Sequence, residues 1–194
     1  MEMSNIAIVY FSKSGATRAL AKAIQSGIEC ALYSATLFEI ESCDIEEGRY
    51  VNNHLLSSLK HFDAIVFGSP TYMGSASAQF KAFMDASSDE YVQLNWRNKL
   101  AAGFTMGGSL NGEQQQTLLG FFALACQHGM IWAGLDVSKH TDNKALNRTG
   151  SSIGLVASYD DNEQVHPNDL ETAHYFGRRI ADLAYQRRRQ VMLE

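Results

Sequence analysis

The sequence predicts an α/β fold, with one doubly wound parallel sheet in a single domain over residues 1–194. Three observations carry this. Short apolar runs, too brief for helices, recur along the chain, and runs that are apolar throughout belong to strands covered on both faces. Amphipathic stretches with helical spacing alternate with them, as in a parallel sheet layered by helices. No repeat, low-complexity tract or linker interrupts the 194 residues, a length that supports one sizeable core.

Residues 5–11 read as the first buried strand. Residues 16–30 read as a helix, with Leu20, Ile24 and Ile28 four apart. Residues 35–40 read as a second strand, followed by an acidic connection (Glu41, Asp44, Glu46, Glu47) that reads as a solvated loop. Residues 53–60 suit a short helix with Leu55, Leu56 and Leu59 on one face. Residues 63–68 read as a third strand running into the loop Ser69–Gly74. A helix over 75–87 follows, with Ala76, Phe80, Phe83 and Met84 on one face. The fourth strand, 99–105, runs into the Gly-rich loop Met106–Gly112, and 113–128 reads as a helix. Residues 131–135 read as a fifth strand, 136–151 as a polar surface excursion, and 153–157 as a short extended piece. Pro167 opens a last helix with a buried stripe of Leu170, Ala173, Phe176, Ile180, Leu183 and Ala184. Arg187, Arg188 and Arg189 at its end complement the helix dipole, so they call for no nucleic acid.

Composition narrows the function. Net charge is −5, which disfavours a nucleic-acid partner. No apolar run reaches the roughly 20 residues of a membrane span, and the N-terminus has no signal-peptide pattern. Cys30, Cys43 and Cys126 are scattered, with no CxxC and no histidine at ligand spacing. That predicts a reducing cytoplasm, no metal site, and cysteines present for packing or by chance.

Three unusual loops each follow a strand. Ser12-Lys13-Ser14-Gly15-Ala16-Thr17 lies between strand and helix. A helix start leaves unpaired N–H groups with a partial positive charge behind them, so it takes an anion. Ser12, Ser14 and Thr17 add hydroxyl donors, and Gly15 admits close approach. The loop lacks both the three glycines of a dinucleotide fingerprint and the Gly-Lys-Ser/Thr of a Walker loop. A terminal phosphate dianion fits it, which points to a mononucleotide such as FMN. An ordinary Ser/Thr cap on a surface helix is the plain alternative.

The second loop offers Pro70 for a rigid turn, Thr71 for hydrogen bonding, Tyr72 and Met73 as apolar surface, and Gly74 for close backbone approach. The third offers Gly107, Gly108 and Gly112, with Ser109 and Asn111 as polar handles. Core packing and tight turns are the plain alternatives for these residues. Ligands of open parallel sheets bind beyond the carboxyl ends of the strands, where strand order reverses. With strand order 2-1-3-4-5, all three loops meet in one crevice that suits a planar ring with polar and apolar edges.

The segments SKSGAT, GSPTYMGSASAQFKAFMD, LAAGFTMGGSLNGEQQQTL, QHGMIWAGL and ETAHYFGRRIADLA resemble the flavodoxin-like superfamily, in its WrbA-type NAD(P)H:quinone oxidoreductase branch. The resemblance covers most of residues 5–184. It implies five parallel strands in order 2-1-3-4-5, FMN as cofactor, NAD(P)H as donor, a quinone-like acceptor, and a homodimer or homotetramer. It places the phosphate on Ser12, Ser14, Gly15, Ala16 and Thr17. The isoalloxazine falls to Pro70, Thr71, Tyr72, Met73 and Gly74, and its other edge to Thr105, Met106, Gly107, Gly108, Ser109, Asn111 and Gly112. His128 matches a histidine near flavin and substrate, with an orienting hydrogen bond as its implied catalytic role. Met73 replaces the usual Phe, Lys13 replaces an aromatic or Met, and Trp96 is the nearest match to the substrate-flanking Trp. The resulting expectation is an FMN-dependent oxidoreductase. A flavodoxin-type one-electron carrier is the rival, and a scaffold that has lost FMN a third reading, opposed by the hydroxyls of Ser12, Ser14 and Thr17.

Overall fold

The computed structural model describes residues 5–31, 33–141 and 144–191. The principal strands are β1 (Asn5–Tyr10), β2 (Ser34–Glu39), β3 (Ala64–Tyr72), β4 (Leu100–Gly107), β5 (Ile131–Trp132) and β6 (Leu155–Ser158). The helices are α1 (Ala16–Cys30), α2 (Asn53–Ser58), α3 (Ala78–Ala86), α4 (Ser88–Val92), α5 (Gln114–Gln127) and α6 (Pro167–Val191). The sheet order is β2-β1-β3-β4, and β5 and β6 share the far edge. All these pairings are parallel, so the 2-1-3-4-5 expectation holds with its last strand in two halves.

Each strand divides its side chains between two cores. Ile6, Ile8 and Tyr10 join Leu20, Ile24 and Ile28 of α1 and Phe176 and Ile180 of α6. Ala7 and Val9 join Leu55, Leu56, Leu59, Phe80, Phe83 and Phe121 on the opposite face. Alternate residues point to opposite faces of a strand, so a continuously apolar run serves both layers. Ser77 caps α3 by accepting the Phe80 N–H at 3.3 Å, and Asn52 caps α2 through the Leu55 N–H at 3.1 Å.

Four expectations need correction. Ser69 to Tyr72 is strand rather than loop. β4 stays paired alongside through Ser69↔Thr105 and Pro70↔Met106, and the chain reverses only at Met73-Gly74, both at positive φ (47° and 77°). Pro70 is therefore in a strand, not a turn. β1 ends its pairing at Gly68, so Pro70 lies where β3 has lost one neighbour, a place that tolerates a missing N–H. The acidic connection is ordered, with a 3₁₀ turn at Ser42–Asp44 and a two-residue hairpin pairing 45–46 with 49–50. The three cysteines are exposed, which removes packing and leaves chance of the two expected roles.

The fifth strand is interrupted because the polar excursion leaves the edge after Trp132 and returns at Leu155. Residues 142 and 143 of the excursion lie outside the described residues. The terminal arginines do more than face a dipole. Arg187 Nε donates to the Asn98 carbonyl at 2.7 Å, and Arg188 reaches Asp63 at 3.2 Å, tying α6 to the amino end of the sheet.

Candidate functional site

β1 delivers the chain into the hydroxyl-rich loop at the point where strand order reverses between β1 and β3. α1 begins at Ala16 behind Gly15, whose φ of 93° is a left-handed conformation costly for other residues. The N-cap residue, Gly15, has no side chain with which to cap the helix. The Gly15 carbonyl accepts the Ala19 N–H at 2.9 Å, and Ser12 Oγ accepts the Arg18 N–H at 3.2 Å. The N–H groups of Ala16 and Thr17 have no partner among the described residues, and neither does the hydroxyl of Thr17, a residue only 2% exposed. Ser12 accepts and so keeps its own proton to donate. A surface cap would have used these donors, so the loop fits a phosphate dianion.

Arginine plays no part in that loop. Arg18 grips Glu39 with two hydrogen bonds, of 2.7 and 2.6 Å, and Tyr10 donates to the same carboxylate at 3.0 Å. Burial, then the bond to Glu39, push the Tyr10 phenol up to about 12. The guanidinium is thus committed to the Glu39 carboxylate.

A cavity of about 410 Å³ joins the ends of β3 and β4, lined by Thr71, Met73, Gly74, Gly107, Gly108 and Ser109 among others. Tyr72 is 44% exposed and Met73 fully exposed, so neither is a core residue. Thr71 is committed elsewhere. Thr105 Oγ1 donates to the Ser69 carbonyl at 2.7 Å and lies 2.8 Å from Thr71 Oγ1, itself 2.8 Å from Thr117 Oγ1. A hydroxyl has one proton, so the chain runs Thr117 to Thr71 to Thr105 to Ser69. Thr71 has no side-chain proton left for a ring. Thr105 and Met106 are buried within β4, and the first residue of the expected polar edge to line the cavity is Gly107, the last of the strand. Asn111 is also occupied, donating to the Thr149 carbonyl at 2.8 Å and accepting from Gln115 at 3.1 Å. It anchors the loop, and Ser109 and Gly112 stand beside it, exposed.

A fourth segment, absent from the sequence expectation, completes the rim. Tyr159 follows β6, and its phenol oxygen is 3.3 Å from Ser14 Oγ. A cavity of about 610 Å³ lies between them, reaching Gly15, Ala16, Gln164 and Val165. Burial, then charge interaction with Tyr159, raises the Tyr72 phenol. The available signal was position, since the polar run 159–164 follows an apolar strand just as the other three loops do.

His128 does not join them. It caps the end of α5, just ahead of β5, and the adjacent Gly129 carbonyl accepts the Asn98 N–H before β4 begins. That is the amino end of the strands, opposite the loops. His128 is 2% exposed and stacks on Trp96 at 4.1 Å. Ser87 Oγ donates to the Met84 carbonyl at 2.7 Å, so the bond of 2.9 Å between Ser87 and His128 takes its proton from Nε2. Nδ1 is left bare and unpartnered. Burial lowers the imidazole to about 4, so it is neutral. Trp96 is fully buried among Phe67, Phe83 and His128 and flanks no open face of this chain. No group of three or more potential metal ligands occurs among the described residues.

The model of the NADPH-dependent FMN reductase family matches residues 6–139. Flavodoxin FldP of Pseudomonas aeruginosa is 35% identical over 95% of this chain and 98% of its own length. An NAD(P)H dehydrogenase (quinone) of Solidesulfovibrio magneticus is 30% identical over 92% of this chain and 97% of its own. The crystal structure of a flavodoxin, WrbA-like protein from Agrobacterium tumefaciens has a TM-score of 0.73 at 37% identity, covering 95% of this chain and 99% of that one. An archaeal flavodoxin, at TM-score 0.63 and 23% identity, shares the fold.

Proposed function

The chain belongs to the NADPH-dependent FMN reductase family, an FMN- and NAD(P)H-dependent oxidoreductase class, and on that premise we propose that it passes electrons from NAD(P)H to a quinone-like acceptor. The observation that carries this reading is the pair of cavities at the carboxyl ends of the strands, one between the loop after β1 and the segment after β6 and the other between the ends of β3 and β4, with unused hydroxyl and N–H donors beside the first. Ser12, Ser14, Thr17 and the first N–H groups of α1 hold the phosphate, with Gly15 and Ala16 supplying close backbone approach. In this reading Met73 and Gly74, with Tyr72 beside them, take one side of the ring, and Gly107, Gly108 and Ser109, with Gly112 beyond them, take the other, supported by the cavity that Met73, Gly74, Gly107, Gly108 and Ser109 line. FMN supplies the redox chemistry when bound, and the protein supplies position, a shaped wall and exclusion of water.

A one-electron carrier is the second reading, and one observation favours it. The relatives at 35% and 37% identity both have flavodoxin in their names. The test is an anaerobic titration of the FMN-loaded protein with NADH or NADPH, followed by a quinone. The oxidoreductase reading requires the visible flavin bands to bleach with nicotinamide and return with quinone. Flavin that stays oxidised with both nucleotides, yet is reduced by dithionite through a long-wavelength band, sinks it in favour of the carrier.

A further inference from the structure

β6 lies at the sheet edge, with β4 and β3 between it and β1, yet the residue after β6 reaches the loop after β1. The chain is held to that path. Tyr159 bridges Val165, and the Asp160 carboxylate accepts the N–H groups of Asn162 and Gln164 at 2.9 and 3.0 Å. The Ser158 carbonyl accepts the His166 N–H at 3.1 Å, so both ends of the turn are fixed. Tyr159 is 38% exposed and borders the same cavity as Ser14, Gly15 and Ala16.

We propose that Tyr159 is a specificity-determining residue of the phosphate site: its phenol O–H and Ser14 Oγ together bind the terminal phosphate, so the site selects phosphorylated flavin over riboflavin. This rests on the FMN reading above. Ser14 and Tyr159 share one long hydrogen bond of 3.3 Å, and neither hydroxyl has another partner among the described residues. One of their two protons is therefore idle. A phosphate oxygen between them takes both, replacing one neutral bond by two charge-assisted ones. The need for such donors follows from the rest of the loop, where Arg18 is occupied by Glu39. Lys13 projects into solvent as an exposed point charge, and Glu163 adds a carboxylate to the same cavity wall. Selectivity here thus comes from oriented neutral donors rather than net positive charge.

The experiment compares the affinities of the flavin-free protein and its Tyr159→Phe and Ser14→Ala variants for FMN and for riboflavin, read by quenching of flavin fluorescence. Tyr159→Phe removes one oxygen and keeps the ring. It should weaken FMN about tenfold, the size of a hydrogen bond to a charged group, and leave riboflavin unchanged. Ser14→Ala should do the same. Equal weakening of both flavins in Tyr159→Phe, or no change in FMN affinity, overturns the assignment. Urea midpoints matching wild type keep a folding defect out of the comparison. If wild type binds neither flavin, the FMN reading falls and takes this assignment with it. If wild type binds FMN but Tyr159→Phe keeps the wild-type ratio of FMN to riboflavin affinity, only the assignment falls.

Discussion

Alanine substitution at three helical glycines should give opposite signs, for a reason visible in the packing. α1 and α6 cross backbone against backbone. A Cβ at Gly27 would stand 2.0 Å from the His174 carbonyl oxygen, and one at Gly177 would stand 2.1 Å from that of Ile24. Real contacts of this kind begin near 3.0 Å, so either alanine must part the helices by about 1 Å. Such a gap forfeits a quarter to a half of each dispersion contact. Leu20, Ile24, Ile28, Phe176 and Ile180 form the core along the crossing. Overpacking of this kind costs about 1–3 kcal/mol, against which alanine's helix preference recovers about 1 kcal/mol. Backbone overlaps this close put the cost toward the upper end, about 2–3 kcal/mol, so Gly27→Ala and Gly177→Ala should each lose about 1–2 kcal/mol. Together they should lose less than the sum, because one separation relieves both clashes. Gly120 on α5 has nothing within 4 Å of its Cβ, so Gly120→Ala should gain about 0.5–1 kcal/mol. Urea unfolding followed by circular dichroism measures all four proteins. A Gly27→Ala variant as stable as wild type, or full additivity of the pair, refutes the packing argument. Because α1 starts in the phosphate loop, the same two variants should also bind FMN more weakly.

The His128 imidazole, lowered by burial from 6.5 to about 4, takes up a proton in the unfolded chain before the folded one, so stability should be complete above 6.5 and fall by about 3 kcal/mol as pH drops toward 4. His128→Gln should flatten that slope in urea unfolding measured across the interval, and an unchanged slope would place the titration elsewhere. Thr71→Val breaks the hydroxyl chain between Thr117 and Thr105 and should cost about 1–3 kcal/mol of stability while leaving riboflavin affinity near wild type, since that hydroxyl has no proton to offer a ring. Asp169→Leu strands the Arg148 guanidinium, which now holds the buried carboxylate at 2.9 and 2.7 Å, and should cost about 3–5 kcal/mol by thermal or urea unfolding. Arg18→Gln should leave FMN affinity and its weak salt dependence unchanged; a marked loss would mean that Arg18 leaves Glu39 for the phosphate.

The fold was legible where a local rule and the packing agree. The run 5–11 and the helix 16–30 have one solution each, because every apolar residue finds a core on one of two faces. The extent of β3 was not legible, since Ser69-Pro70-Thr71 carries loop chemistry and only the neighbouring β4 keeps it extended. Nor was the union of 131–132 with 155–158, because nothing local says that two short pieces separated by a polar excursion lie along the same strand. At the site, donors that depend on a helix start could be read from SKSGAT alone. Thr71, Thr105 and Asn111 show the limit of such reading. A polar side chain near a site has finite hydrogen-bonding capacity, and whether it is free depends on partners dozens of residues away. His128 shows the same limit for position, since a residue beside a strand can stand at either end of the sheet.

The polar excursion explains how an interrupted edge strand still supports a precise rim. Asn147 donates to the carbonyls of Val137 and Ser151 and accepts from the N–H of Ser151, closing the excursion on itself. Arg148, next in sequence, bridges Asp169 at the start of α6 and Ser158 at the end of β6, and the same carboxylate accepts the Ser158 N–H. Thr149 then presents its carbonyl to Asn111 in the loop after β4. Three consecutive residues thus tie the third loop, the end of β6 and the start of α6 to one another. Tyr159 leaves this knot directly, which fixes its distance from Ser14 across the top of the sheet. A continuous edge strand would carry its own hydrogen bonds but could not reach back to the loop after β4. Interrupting it exchanges a few ladder bonds for buried side-chain bonds that hold two walls of the crevice in register, and every polar atom in that knot must stay paired for the rim to keep its shape.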